Sequence, residues 1–465
     1  MSVVKKWSSS FRLIVALAIV VFVALLVNAW RISRPLEDST YIPRKEIITP
    51  EIVLLQEYIR IDTSNPPGNE LEGARFLVRE LARRGVTAEL IESAPGRANV
   101  YARIRGKNPG GGLLLLHHID VVPADPRGWS EPPFAAKTKL NMLYGRGALD
   151  MKSFGISQLL AFAELAATGA QPERDVVFLA VADEEEGGKL GVAWLLEHRP
   201  DVFEGVAFAL NEGGISETLK EVPSYFGIEV GTRQLVKLRV RAKARRPLEL
   251  ARTALLPLQN PRDPDEILPE VPAILRNTAQ YRIADRELLS DVQKTISNGD
   301  FYRLQPVYRS LLISAASLEG VMPDPEGGFM MDVTMNNLPD VQPDDSIMHV
   351  SKLVEPYGVA IDVVSVQGPS PITPTDTRLF ELIREEVVHE YGAKVFVGPI
   401  ILPFSSNDSR YLRPLGIRAY GFCPYPVSLY HTWGIHGVDE RVRLDWFVDG
   451  VNLTRRLVRR FAAEQ

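Results

Sequence analysis

The sequence predicts an α/β protein built on a mainly parallel sheet, interrupted by an inserted α+β segment and preceded by an N-terminal apolar helix. Three observations predict it. Apolar runs such as "GGLLLLHHID" and "RDVVFLAVADEEEGG" read as strands buried on both faces. Stretches of helical period alternate with them, which is the pattern of strand–helix units packed into one layer. Between about residues 231 and 368 that alternation is replaced by strands with one polar face and short helices, and it then resumes.

Taken in order, Lys5, Lys6 and Arg12 precede the apolar run Leu13–Val27, followed by "NAWRISR". The run is just short of the ~20 residues that span a bilayer. Two readings of it stand: a removable signal peptide with small residues at Val27-Asn28-Ala29, or an uncleaved anchor with a basic cytoplasmic flank and interfacial Trp30. Either reading places the rest of the chain outside the cytoplasmic membrane. Residues 1–34 are therefore the flank and anchor or signal, and the proline-spotted stretch 35–49 is a linker.

Folded structure is expected to begin at Pro50, a first-turn proline with Thr49 as N-cap. "EIVLLQEYIRI" and the stretch Leu71–Arg84 have helical spacing, and "ANVYARIRG" alternates as a half-exposed strand. "MKSFGISQLLAFAELAATG" reads as a helix. Within the insertion, "QLVKLRVRAKARR", "GFMMDVTMN" and "VAIDVVSV" read as strands, with helices around Asp265–Ala279 and Leu288–Asn298. "DTRLFELIREEVVHEYG" then returns the chain to its first pattern, so residues 50–230 and 369–465 are expected to form one domain around the inserted 231–368.

Composition excludes some classes of function. With 53 basic and 58 acidic side chains there is no global field to attract nucleic acid. The one cysteine, Cys423, can form neither an internal disulfide nor a thiolate metal cluster. Any metal must be held by histidine and carboxylate.

Those residue types gather at predicted strand ends. Side chains two apart share a face of a strand, so His118 and Asp120 point together, while His117 points the other way as a packing residue. Asp120 could accept the second ring proton of His118 and so fix it as a ligand. By itself Asp150, in "YGRGALDMK", reads as a helix N-cap. Asp183, Glu184, Glu185 and Glu186 follow a buried strand directly, and such a run repels itself unless a cation is near. Glu212 ends another apolar strand in "FALNEGG", and "HTWGIHGVDER" offers His431 and His436, between which spacing cannot choose. The inventory suits zinc or a similar divalent ion, with a surplus glutamate as general base.

The motifs "HHIDVVPADPRGWSEPPF", "YGRGALDMK", "DEEEGG", "NEGG" and "IHGVDER" resemble, in order and spacing, those of the co-catalytic di-zinc metallopeptidases, which include aminoacylase, glutamate carboxypeptidase and carboxypeptidase S. "IDTSNPPGNE" and "WSEPPF" are most similar to the carboxypeptidase S and aminoacylase branch. The resemblance implies two zinc ions, with cobalt or manganese as possible substitutes. It assigns His118 and Glu212 to one ion, Glu185 and His436 to the other, Asp150 as the bridge, Glu184 as general base and Asp120 as the orienting acid. It implies hydrolysis of a peptide or N-acyl amino acid, and an insertion that acts as a lid and often as a homodimer contact.

The chain departs from the family pattern in places. Asn211 replaces an aspartate before Glu212, the segment "RVRAKARRPLELARTA" lacks the family's lid histidine, Gly320–Pro323 stands in place of an Asn-x-x-Pro turn, and "MNNLP" replaces a segment with arginine. Arg410, or the basic run Arg241–Arg246, is a substitute holder for a substrate carboxylate. The departures keep open a metal-binding but catalytically silent protein, and a deacylase or esterase of a larger envelope molecule.

Overall fold

In the computed structural model, residues 47–219, 222–261, 267–281, 285–304, 306–368, 370–402 and 405–464 are described. The predicted anchor or signal segment and most of the linker lie outside them. Among the described residues no helix is long and apolar enough to cross a membrane.

The strands are β1 Glu89–Ala94, β2 Arg97–Ile104, β3 Asn108–His118, β4 Lys137–Lys139, β5 Met142–Tyr144, β6 Arg174–Val181, β7 Val206–Asn211, β8 Ile215–Leu219, β9 Val222–Thr232, β10 Gln234–Ala242, β11 Ala315–Leu318, β12 Met322–Pro323, β13 Phe329–Asn337, β14 Ala360–Val366, β15 Phe396–Leu402, β16 Arg418–Gly421 and β17 Arg441–Arg443. The main sheet runs β1-β2-β6-β3-β7-β16-β9-β15, with β8 on β9. Its centre, β6-β3-β7-β16, is parallel. The pairs β1–β2, β2–β6, β16–β9 and β8–β9 are antiparallel. The sheet is thus mixed, where the sequence predicted a mainly parallel one. An apolar run looks the same whichever way its neighbour runs, and the β1–β2 hairpin turns through Gly96 at φ 78° to add an antiparallel edge.

Helices cover this sheet. Thr49 caps the helix Pro50–Ile59 as expected, its side chain accepting from Ile52 N. Glu70–Arg83 buries Ala74, Leu77 and Leu81. Lys152–Ala167 is buried almost all round, since it lies between the sheet and the C-terminal helix Leu444–Ala463. Such a helix shows little amphipathic pattern.

A second, antiparallel sheet has the order β11-β13-β10-β14, with β12 on β13. Val236, Leu238 and Val240 of β10 and Met331 and Val333 of β13 share a core with Leu248 and Val350, from the helices Arg245–Leu255 and Pro343–Val354. The helical residues Val271, Ile274 and Leu312 join a different cluster, which includes Ile401 of β15 in the main sheet. The segment between β9 and β15 therefore contributes to two separate cores.

The strand order β6-β3-β7 positions the site. Parallel neighbours about 4.8 Å apart end together. His118 closes β3, the acidic run follows β6, and Glu212 follows β7. Three distant stretches of chain thus deliver side chains to one edge, where open α/β sheets place their ligands.

Candidate metal centre

Asp150 is the hub. Its Oδ1 lies 3.0 Å from Nε2 of His118, and its Oδ2 lies 3.1 Å from Nε2 of His436. Glu212 Oε2 is 3.6 Å from the same His118 nitrogen, and Glu185 Oε2 is 3.2 Å from the same His436 nitrogen. Each carboxylate oxygen of Asp150 thus faces its own histidine, and each of those histidine nitrogens also has a glutamate beside it. Asp150 caps no helix; the residue at the N-cap position is Met151, which makes no side-chain cap.

The acidic run divides its work. Asp183 turns away to Arg97 at 2.8 Å and accepts Leu190 N at 3.1 Å, and Glu186 is exposed. Glu184 and Glu185 enter the cluster, and donor atoms of His118, Glu184 and Glu212 lie within 4.8 Å of one another, as do those of His118, Asp150 and Glu185.

Asp120 does more than the sequence suggested. The ring Nδ1 of His118 lies 2.9 Å from the main-chain carbonyl of Asp120 and 3.5 Å from its carboxylate Oδ1. The carboxylate instead accepts Glu184 N at 3.2 Å, Glu185 N at 3.1 Å and Asn65 Nδ2 at 2.9 Å. Asn65 also donates to Asp183 at 3.1 Å, so "TSNPPGNE" is joined to the acidic turn. Glu70, bound by Arg97 at 2.5 Å and accepting Asp183 N at 3.2 Å, completes that support.

Glu440 carries the Asp150 loop. Fully buried, it accepts Leu149 N at 2.7 Å, Asp150 N at 3.0 Å and Gly147 N at 3.0 Å, and it pairs with Arg146 at 2.6 Å. Neither Asn65 nor Glu440 stood out in the sequence, because their partners, two carboxylates for Asn65 and three backbone amides for Glu440, are brought near only by the fold. The available signal was their place inside motifs already quoted, next to the cis-proline pair and four residues after His436.

His117 is the packing residue expected, against the Phe178 ring at 5.3 Å with Nδ1 3.2 Å from Gln158 Oε1, and burial pushes it down to about 3. His431 stays out of the cluster, pushed down to about 4 by burial and by Arg441 and Arg443. Arg410 is buried, with NH1 3.4 Å from Glu184 Oε1 and NH2 3.7 Å from Asp408 Oδ1. Of the basic run, Arg241 is engaged by Glu326 at 2.6 Å and Asp324 at 3.1 Å, and Arg245 by Glu249 at 2.8 Å.

The charges of the cluster call for cations. Burial and the neighbouring Asp150 push Glu185 up to about 7, and burial with Asp150 raises Glu212 well above the usual carboxylate range. Hydrogen bonds to Asp150 and Glu185 push His436 up to about 10. Glu185 Oε1 is buried without a hydrogen-bond partner. Four carboxylates that draw protons onto two imidazoles form a donor set for divalent ions. The spacing agrees: ligand atoms ~2.0–2.1 Å from a tetrahedral zinc lie roughly 3.3 Å apart, and the separations here run from 3.0 to 3.6 Å.

The chain is similar to known proteins. The model of peptidase family M20/M25/M40 matches residues 114–460. Aminoacylase-1A of Rattus norvegicus is 28% identical over 433 residues, covering 89% of this chain and 96% of its own. An N-fatty-acyl-amino acid synthase/hydrolase of Xenopus tropicalis is 25% identical over 357 residues, covering 71% and 68%. Among solved structures, an M20 family metallo-carboxypeptidase of Sulfolobus solfataricus superposes with a TM-score of 0.70 at 18% identity, covering 89% of this chain and 100% of that one.

Proposed function

Since this chain belongs to peptidase family M20/M25/M40 and is a metal-dependent hydrolase of peptide or N-acyl amino acid bonds, we propose that its site holds two zinc ions, one on His118 and Glu212, one on Glu185 and His436, with Asp150 between them. The observation that carries this reading is the Asp150 carboxylate, divided between two histidines at 3.0 and 3.1 Å.

Bound there, the ions supply Lewis-acid polarisation of the amide carbonyl and acidify a water. Glu184 takes the proton from the attacking water and passes it to the leaving nitrogen as the C–N bond breaks. Asp120 fixes the two backbone amides of the turn that aims Glu184. Arg410, whose Nε and NH2 lack hydrogen-bond partners, is the cation available to a substrate carboxylate. The test is release of free amino acid from a panel of N-acyl amino acids and dipeptides by the zinc-loaded protein. Turnover that Glu184→Gln abolishes supports the reading; no turnover of any member by the loaded wild type favours the silent metal-binding alternative, which the absent lid histidine keeps in view.

The segment 231–368 is proposed as a lid and homodimer element. Edge strand β14 supports this, because Val363, Val364 and Val366 are 50%, 50% and 44% exposed beside an open ladder. Residues 13–30 are proposed as the membrane anchor, with the hydrolase on the non-cytoplasmic side. Protease digestion of intact cells tests it: protection of the folded chain contradicts it.

A further inference from the structure

The loop that carries His436 is apolar on its outside. Tyr430, Trp433, Ile435 and Val438 are 73%, 80%, 38% and 51% exposed. Single exposed apolar side chains are ordinary, but a cluster of four within nine residues at the edge of a site marks a surface that something covers.

The loop is held firmly. Tight turns wind it, with Gly434 N bonded to His431 O at 3.0 Å, Ile435 N to Thr432 O at 3.1 Å and Gly437 N to Gly434 O at 2.9 Å. Each such turn brings Cα atoms three residues apart within about 7 Å. Arg146 donates to Gly437 O at 2.9 Å, and Ser130 N donates to Asp439 at 2.7 Å. A group lying on Trp433 or Ile435 is therefore next to His436 and the Glu185 half of the centre.

The chemistry at this edge selects which part of a substrate goes there. Arg441, the nearest cation along the loop, is committed: its guanidinium lies 5.4 Å from the Tyr430 and Tyr144 ring centres and donates to Asp439 O at 2.7 Å. The charged, amino-acid half of a substrate is better matched to Arg410 on the Glu184 side.

We propose that the rim formed by Tyr430, Trp433, Ile435 and Val438 binds the apolar acyl chain of an N-acyl amino acid and gives the enzyme a preference for longer acyl groups. This rests on the hydrolytic reading above. The acyl chain lies across the rim while the scissile carbonyl reaches the centre, so each methylene covered adds to transition-state binding as it does to ground-state binding.

The test is kcat/KM of the full-length, zinc-loaded protein on N-acetyl, N-butanoyl, N-octanoyl and N-dodecanoyl forms of one amino acid, for wild type, Trp433→Ser and Val438→Ser. We expect a rise of roughly twofold or more per methylene in wild type, a flatter gradient in both variants, and acetyl turnover unchanged within about twofold. A flat wild-type gradient with acetyl turnover intact overturns the rim proposal and leaves the hydrolytic reading standing. Failure on every substrate, acetyl included, removes both. An unchanged gradient in variants that lose binding to anionic vesicles, or change oligomeric state, assigns the rim to a bilayer or a second copy and overturns the proposal.

Discussion

Asp120 accepts the main-chain N–H of Glu184 at 3.2 Å, so the acid beside the proposed metal-ligand histidine also holds the proposed general base. The His118 ring is served by the Asp120 carbonyl at 2.9 Å, which any residue at that position would keep. Asp120→Ala should therefore retain two equivalents of bound zinc while kcat falls on the order of 100-fold, the scale of a misplaced catalytic group. Metal analysis and steady-state kinetics on one preparation check this. Loss of zinc in proportion to activity would place Asp120 on the ligand instead.

Glu184→Gln keeps the shape of the side chain but removes the base. Turnover should fall by about 10²–10⁴-fold, with metal content and melting temperature close to wild type. Full activity in this variant would exclude the assigned role.

Glu440 and Arg146 form a buried pair at 2.6 Å under the Asp150 loop. Removing one partner of such a pair costs about 3–5 kcal/mol, and Glu440→Ala also frees three backbone amides at residues 147, 149 and 150. The variant should melt well below wild type and bind zinc more weakly. Chemical denaturation and a zinc titration read the two effects separately.

His431 gives a pH dependence of known sign. The unfolded histidine takes up a proton near 6.5, whereas burial and two arginines hold the folded one down to about 4. The unfolded chain thus binds more protons between these values, so the contribution of His431 to stability is complete above about 6.5 and is lost as pH falls toward 4. His431→Asn should show a smaller drop in Tm across that interval than wild type, with its zinc content unchanged.

The β14 edge predicts a self-association that one charge disrupts. Val364→Lys should shift the protein from dimer to monomer by light scattering, since a lysine on an edge strand opposes pairing. A wild type that is monomeric at micromolar concentration would contradict the dimer element.

The centre was largely legible in the sequence because His118, the acidic run and Glu212 each end or follow an apolar strand, a pattern that survives in one dimension. His118, Asp150, Glu184, Glu185, Glu212 and His436 all converge in space. Parity also separated His118 from His117, which packs on Phe178. What was not legible is the support. Asn65 donates to a carboxylate 55 residues away and Glu440 accepts backbone amides 290 or more residues away, and the sequence carries no periodicity for such bonds. Strand direction failed for a related reason: β9 is apolar and buried along most of its length, yet it runs antiparallel to β16 and β8 and parallel to β15, and the turns and chain path decide such senses. Arg410 reads as a holder for a substrate carboxylate, but the sequence carries no sign that the turn Asn407–Arg410 folds it inward against Glu184.

The most direct test is one titration of activity against metal. The purified protein is assayed on an N-acyl amino acid, stripped with a chelator, and reassayed as zinc is returned in steps. Activity that vanishes on stripping and is restored in full at two zinc ions per chain is the expected result. Activity that survives complete removal of metal, or fails to return although two ions rebind, would contradict a hydrolytic centre built on Asp150.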